Sequence, residues 1–456
     1  MSAGTEQRQW SSKLMFLAAA IGSAVGISNV WKFTYVAGEN GGGAFVLIYV
    51  AAIALVALPA LIAEFLVGRR GGASVVKTMH NLHTRDGVSR HWRYYGHMAA
   101  LGTFIALSFY TVVAGWTVDY FYRSVVDGFD GMTAERAGAT LDGLMVNSPR
   151  MIVAHLVFLL LTALTVAGGI RGGLEKALRW LTPSLFALLL ALLVYAIFAG
   201  DMAAGASFLL VPDVDAFDRG TVLVAVGQAF FSLGIGIGVL MTVASYMDAE
   251  TSILKAGLIV AAADAGVALI AGLAIFPIVF AHGLSPAEGP GLIFATLPVA
   301  FGQMPAGSIL GAMFFILMAI AAFTSAITML ETIVSVVRDF TQLSRLASVV
   351  VVTFLLWIAG LGTVFSFGAL ADFHPLGFIP AFESRNIFES LDYIVSNWMM
   401  PAGGVLVALL AGWGLTKRAT LDELDLQPGA LYSTWQALVR FVVPVAISLV
   451  FLANLR

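Results

Sequence analysis

No cysteine occurs anywhere in the 456 residues. That excludes a disulfide framework, thiolate catalysis and a cysteine-held metal. Charge is scarce as well. Asp, Glu, Lys and Arg together make up 11% of the chain, against about 25% in soluble domains. Apolar types reach 59%, above the ~45–50% of soluble proteins, and mean hydropathy is +0.92. So many apolar residues, gathered in separate long runs, exclude a soluble enzyme, a nucleic-acid binder and a disordered chain. An outer-membrane barrel is excluded too, because its strands alternate and carry no long apolar runs. The formal net charge of −3 implies neither nucleic acid nor an anionic lipid surface as partner. Nor is there a His-Glu-x-x-His motif. The histidines scatter: His80, His83, His91 and His97 lie in a basic loop, His155 at the edge of an apolar run, and His282 and His374 in outer connections. No nucleophile–base pair or metal cluster is legible, so no enzyme is expected.

What is present is a series of apolar runs near 11–37, 42–68, 96–122, 151–168, 178–199, 221–245, 255–282, 306–337, 347–366, 388–413 and 436–454. About 20 apolar residues cross a bilayer core as a helix. The sequence therefore predicts an all-α polytopic membrane protein of eleven spans, one transporter-sized domain over 1–456. Arg8 and Lys13 ahead of LMFLAAAIGSAVG imitate a secretory leader, but further spans follow at once, so the run is expected to stay as the first span. With the N-terminus in the cytoplasm, inside segments hold seventeen lysines and arginines and outside segments six. The positive-inside rule then places the C-terminus outside, in a multi-pass plasma-membrane protein. The stretch SPAEGPGLIFATLPVAFGQMPAGS is predicted to hold short helical pieces broken by Pro286, Pro290, Pro298 and Pro305.

Two spans carry sequence that weakens a helix. The first contains Gly22-Ser23-Ala24-Val25-Gly26-Ile27-Ser28-Asn29, the sixth Ser232-Leu233-Gly234-Ile235-Gly236-Ile237-Gly238. Each glycine costs about 1 kcal/mol relative to alanine in a helix. Close helix packing through small residues is the alternative reading of either run alone. Two such runs, five spans apart, predict two inverted five-helix repeats over 11–199 and 221–413, with 436–454 as an additional helix and a site at the repeat interface. Broken helices free carbonyls and amides at membrane depth, which only a cavity, protein or ligand satisfies. A pocket with both suits a zwitterion and a hard cation.

At these residues the chain resembles the neurotransmitter:sodium symporter family, in particular its eleven-span bacterial branch of hydrophobic amino-acid transporters. The resemblance runs through WSSKLMFLAAAIGSAVGISNVWKFTYVAGENGGGAF, GQAFFSLGIGIGVLMTVASY, DAGVALIAGLAIFP and FTSAITMLE, and covers essentially the whole chain. It implies a sodium-coupled symporter importing hydrophobic, large aliphatic or aromatic L-amino acids by alternating access, with two bound sodium ions. The alternative on the same scaffold is a sodium- and amino-acid-binding receptor or channel-like protein.

The residues that match the family's first sodium site are Ala24, Asn29, Ser232 and Asp264, with the substrate carboxylate completing it. The second site matches the carbonyls of Gly22, Val25 and Ala321 and the hydroxyls of Thr324 and Ser325. All are hard oxygen donors. In animal members chloride places a negative charge near the first sodium; here Asp264 puts a carboxylate at a ligand position, so chloride is not expected to be required. The resemblance also implies a substrate pocket. Amides of Ile27 and Ser28 and the Tyr110 hydroxyl would hold the carboxylate, and carbonyls of Ala24, Phe231, Ser232 and Gly234 the ammonium. Ser23, Ala106, Ile237, Ser325 and Met329 would supply walls. Ala106, Gly234 and Ile237 leave room for a bulky apolar side chain.

The same resemblance places gates at either end. Phe231 and Tyr110 would lid the substrate, with Lys32 and Asp392 as a water-mediated pair above. Lysine stands where most relatives carry arginine; it keeps the charge and loses the planar fork. Trp10, Tyr246 and Asp339 match a cytoplasmic latch, whose usual basic partner is displaced: Gln7 stands at its place and Arg8 follows. Gly173 and Pro183, with nine residues between them, match a spacing associated with unwinding beside the second sodium. Glu64 and Glu331 are expected to hold hydrogen-bonded structural roles.

Overall fold

The computed structural model describes residues 9–213, 217–289 and 291–453. Among them all regular structure is helical, apart from one isolated bridge between Gly42 and Pro212. In chain order the helices that frame the site are α1 (Lys13–Ala24), α2 (Ser28–Glu39), α3 (Gly43–Gly71), α4 (Val75–Asp86), α5 (Arg90–Val126), α6 (Ser148–Ala167) and α7 (Ile170–Ala199). They continue with α8 (Arg219–Ser232), α9 (Val239–Ser245), α10 (Ile253–Ala281), α11 (Gly307–Thr341) and α12 (Arg345–Ser366). The last three are α13 (Ile387–Gly414), α14 (Lys417–Leu424) and α15 (Ala430–Ala453). Among the described residues nine helices are long and apolar enough to cross a membrane unaided: α3, α5, α6, α7, α10, α11, α12, α13 and α15. α1 and α2 together make a tenth, bent by 50° at the break between them. α8 and α9 are each too short to span and are separated by residues 233–238. Counted as one interrupted segment, they bring the total to the predicted eleven.

The helices overrun the apolar windows at charged ends. α7 starts at Ile170, not near 178, and takes Arg171, Glu175, Lys176 and Arg179 into its first turns. α13 begins in polar sequence because Asn386 and Glu389 form a reciprocal capping box, which satisfies otherwise orphaned amides. The proline-rich connection holds one helix, Leu292–Gln303, with Pro298 near the start of its regular α-helical part. Pro298 stands just after the π-helical turn Leu292–Thr296. Pro290 lies outside the described residues.

α1 sits at the centre, packed by α7, α9, α10 and α11. α11 runs along α5, and their contact is filled by buried Tyr120, Phe315 and Phe294 rings. His155 is not at an edge. It is fully buried on α6, against Gly360 of α12. A chain too apolar to fold around water thus buries its few polar groups on the central helices.

Candidate sodium and substrate site

Each break has a local cause. α1 stops at Ala24, where Val25 turns extended with ψ 102° and Gly26 follows. Asn29 folds back so that its Oδ1 accepts the freed Gly26 amide at 3.0 Å. In the sixth segment Gly234, Gly236 and Gly238 all adopt positive φ, at 65°, 102° and 77°. L side chains rarely adopt that region, so the alternating glycines are the break. A side chain on Gly236 would also strike the Met400 carbonyl of α13, 2.2 Å from its Cβ position. Glu64 of α3 accepts the loose Gly236 amide at 2.8 Å, and Thr103 of α5 donates to the Ile237 carbonyl at 2.5 Å. A helix normally supplies those partners itself. Glu64 therefore has the structural role expected of it.

The two breaks meet at a polar cluster. Asn29 Nδ2 donates to Asp264 Oδ1 at 2.7 Å, to the Asp264 carbonyl at 3.1 Å and to Ser232 Oγ at 3.1 Å. Ser232 Oγ donates to Asp264 Oδ2 at 2.5 Å. Asn29, Asp264 and Ser232 are at most 3% exposed. The structure thus joins three of the four chain residues expected at the first sodium site, from α2, α8 and α10, while Ala24 closes α1 beside the break. Tyr49 of α3 completes the cluster, its hydroxyl 3.3 Å from both Ser232 Oγ and Asp264 Oδ2. Sequence reading missed it. A tyrosine in an apolar run reads as core, and only the tertiary contact shows its hydroxyl aimed at a carboxylate.

The second set is neutral. Ser325 Oγ lies 3.3 Å from the Gly22 carbonyl and 3.4 Å from the Ala321 carbonyl, and Thr324 Oγ1 is 3.0 Å from the latter. Gly22 fits against α11 because it has no side chain: its Cβ position is 3.2 Å from Thr324 Cβ and 2.9 Å from Leu178. Four of the five expected residues converge here, and Val25 stands at the extended cap just beyond. Hydroxyls and carbonyls are suitable ligands for a hard cation. They are equally capable of bonding one another in its absence.

Between the breaks and the Lys32 end of the molecule lies a cavity of about 230 Å³, lined by Ile27, Ser28, Tyr110, Phe231, Lys32 and Asp392, with Trp31 and Phe109 among the rest. Tyr110 is partly buried and its hydroxyl faces Ser325 and the Ile27 amide. Gly234 opens to empty space, with no atom within 4 Å of a Cβ placed there. Ile237 packs against Gly102 of α5, while Ala106 and Met329 are buried on α5 and α11. Ser23 turns its hydroxyl to Thr328 at 3.0 Å. At the mouth Lys32 Nζ sits 3.5 Å from the centroid of the Phe231 ring, and Asp392 accepts from Ser396 at 2.8 Å. The aromatic and the charged parts of the expected outer gate thus share one cavity wall.

At the opposite end Trp10 donates from its indole to the Val243 carbonyl at 2.9 Å and from its amide to Tyr246 at 3.1 Å. The Tyr246 hydroxyl donates to Glu331 at 3.0 Å. Glu331 in turn pairs with Arg345. Asp339 lines the same cavity as Tyr246 and is paired with Lys77 at 3.7 Å and with the Ser74 amide at 3.3 Å. Gln7 and Arg8 lie outside the described residues. α7 runs through Gly173 and Pro183 without a break. Gly173 is needed there because its Cβ position is 1.9 Å from the Thr165 carbonyl.

The profile of the Sodium:neurotransmitter symporter family matches residues 7–134 and 139–373. The chain belongs to that family. A sodium-dependent transporter of Bacillus subtilis, YhdH, is 35% identical over 447 residues, covering 97% of both chains. A sodium-dependent transporter of Haemophilus influenzae is 30% identical and covers both chains completely. Among solved structures, MhsT in complex with L-phenylalanine superposes with a TM-score of 0.89 at 38% identity, over 98% of this chain and 99% of that one. Members of the symporter family move solutes across membranes; they are not enzymes. This chain is accordingly a sodium-dependent membrane transporter with the all-helical fold of MhsT.

Proposed function

We propose that this symporter imports large apolar L-amino acids together with two sodium ions, without chloride, by alternating access across the plasma membrane. The observation that carries the reading is the convergence of Asn29, Ser232 and Asp264 where the two breaks face each other. An ion seated there touches the amino-acid carboxylate, so each ligand completes the other's site. The freed amides at Ile27 and Ser28, beside the Tyr110 hydroxyl, form the carboxylate end of the pocket. The apolar walls beyond offer no fixed carboxylate to a monoamine, and MhsT was crystallised with L-phenylalanine. Asp264 already supplies the negative charge that chloride would bring. The Trp10 end faces the cytoplasm and the Lys32 end the outside, with the C-terminus external. Each positive charge moving inward gains about 2.3 kcal/mol per 100 mV, enough for two ions to drive accumulation.

The test is thermal stabilisation of detergent-purified protein by each of the twenty amino acids, in sodium and in potassium. Stabilisation by leucine, phenylalanine or tryptophan in sodium alone is expected. Equal stabilisation in potassium would refute the coupling. Uptake into sealed vesicles then distinguishes a carrier from a receptor on the same scaffold.

A further inference from the structure

α15 carries a single charge between Ala430 and Ala453. That charge, Arg440, lies about 15 Å along the helix from its start. A charge at membrane depth calls for a partner. Among the described residues no carboxylate pairs with Arg440. On neighbouring α14, Glu423 is engaged by Arg69 and Arg70, and Asp422 by Arg418.

The guanidinium is nevertheless held in place. Its Nε donates to the Gly412 carbonyl of α13 at 2.6 Å, and its carbon sits 4.8 Å from the centroid of the Trp413 ring. The Trp413 indole donates back to the Arg440 carbonyl at 3.4 Å and meets Phe441 edge-on, with ring centroids 5.7 Å apart. Gly412 admits the arginine stem: a Cβ there would lie 2.9 Å from Arg440 Cγ. Both helices widen into a π-helical turn at this spot, Leu410–Gly414 in α13 and Leu438–Val442 in α15. Such turns recur at functional sites. Plain snorkelling needs only a long stem and water at its tip. It needs neither a ring under the guanidinium nor a carbonyl that fixes Nε. What results is an oriented fork whose two terminal nitrogens have no hydrogen-bond partner among the described residues.

The surroundings show what the fork faces. Trp413 is 57% exposed, at the end of α13 remote from Asp392. α14 follows and is tied to Arg69, which lines the Trp10-side cavity. Exposed Lys417 opens α14 and stands 5.8 Å from the Tyr432 ring of α15, so a second cation borders the same seam. In the other direction Phe441, Val445 and Leu449, all more than half exposed, follow one another up α15 a turn apart. Cations at one end of an apolar strip match a phospholipid.

We propose that Arg440, Trp413 and Lys417 bind the headgroup phosphate of one anionic phospholipid, whose acyl chain lies along Phe441, Val445 and Leu449. The planar fork fits two phosphate oxygens, and basic pockets between helices at the cytoplasmic face suit anionic headgroups. In the proposed orientation this is a lipid of the inner leaflet. The inference is independent of the substrate and ion sites, and its test leaves them aside.

Brominated phosphatidylglycerol or brominated phosphatidylcholine is titrated into the detergent-purified full chain, and quenching of tryptophan fluorescence is followed. The Trp413 signal is the difference from Trp413→Phe. Phosphatidylglycerol should quench it with an affinity at least about fivefold above that of phosphatidylcholine, and Arg440→Gln should lose about fivefold, the effect of one basic side chain at a lipid surface. Arg440→Lys keeps the charge without the fork; it should fall between the two, and carries the test if Arg440→Gln does not fold. Equal quenching by both lipids, or an unchanged affinity in these variants, would overturn the site. Glycerol 3-phosphate has the headgroup chemistry and no acyl chain. It should not displace the lipid at equal concentration; displacement would make the ligand a soluble phosphate and overturn the lipid assignment.

Discussion

The two candidate ion sites lie on either side of α1's break and are built on different principles. The first draws on α2, α8 and α10 and contains a formal negative charge, Asp264, held by Asn29, Ser232 and Tyr49. The second draws on α1 and α11 and contains only carbonyls and hydroxyls. Hydrogen bonds to charged groups contribute about 1.5–3 kcal/mol and neutral ones about 0.5–1.5. On the proposed reading the first site, with its carboxylate, is the one coupled to the substrate. The second, with neutral ligands alone, is expected to hold its ion less strongly.

Asp264→Asn should break that difference most strongly. It keeps the shape of the side chain and removes the charge. Sodium affinity should fall about 10–100-fold, at ~1.4 kcal/mol per decade, and added chloride should recover part of it. Isothermal or radiotracer sodium titrations with chloride or gluconate as the anion decide this. Next comes Ala106→Leu, which narrows the pocket wall without touching either ion set. Overpacking costs about 1–3 kcal/mol, so tryptophan and phenylalanine binding should weaken while alanine or glycine binding does not. Ser325→Ala removes one neutral ligand and should lower sodium affinity by no more than about tenfold.

Much of this contrast was legible beforehand, for physical reasons. Apolar runs marked the spans because a bilayer forbids most alternatives. The glycine triplet marked the second break because only glycine occupies three alternating positive-φ positions cheaply. Asp264 lies alone as a charge within the apolar sequence AAADAGVALIAGL. Other parts depended on tertiary contact. Nothing near Tyr49 or Glu64 shows that one faces Asp264 and the other a loose amide at Gly236. The Asp339 partner is Lys77 on α4, far off in sequence, and Glu331 has Arg345. α13 starts within one residue of the expected 388, and the Asn386–Glu389 spacing is the local signal for that start.

Acid sharpens the comparison least, and needs a control. At the end of α3, Arg69 bonds Glu423 of α14 and the Thr251 carbonyl, and Arg70 forks onto Asp86 of α4. Burial alone would raise the Asp86 carboxyl. The hydrogen bonds and charge of Arg70, with Arg85 behind, outweigh it and hold the group below its ordinary range. A depressed carboxyl stabilises the fold above its unfolded pKa of about 3.9 and loses that contribution as pH falls through the lower folded value. Below about pH 4 the protein should therefore lose a small part of its thermal stability, and Asp86→Asn should flatten that loss. Sodium binding in acid is to be compared with this variant.

The central claim is that a cation and a zwitterion complete one site between two broken helices. It is tested most directly by equilibrium binding of radioactive sodium to the purified protein, with and without saturating phenylalanine or leucine. The account predicts that the amino acid tightens sodium binding, and that sodium tightens amino-acid binding by the same factor, as linkage requires. Sodium binding indifferent to the amino acid would contradict it.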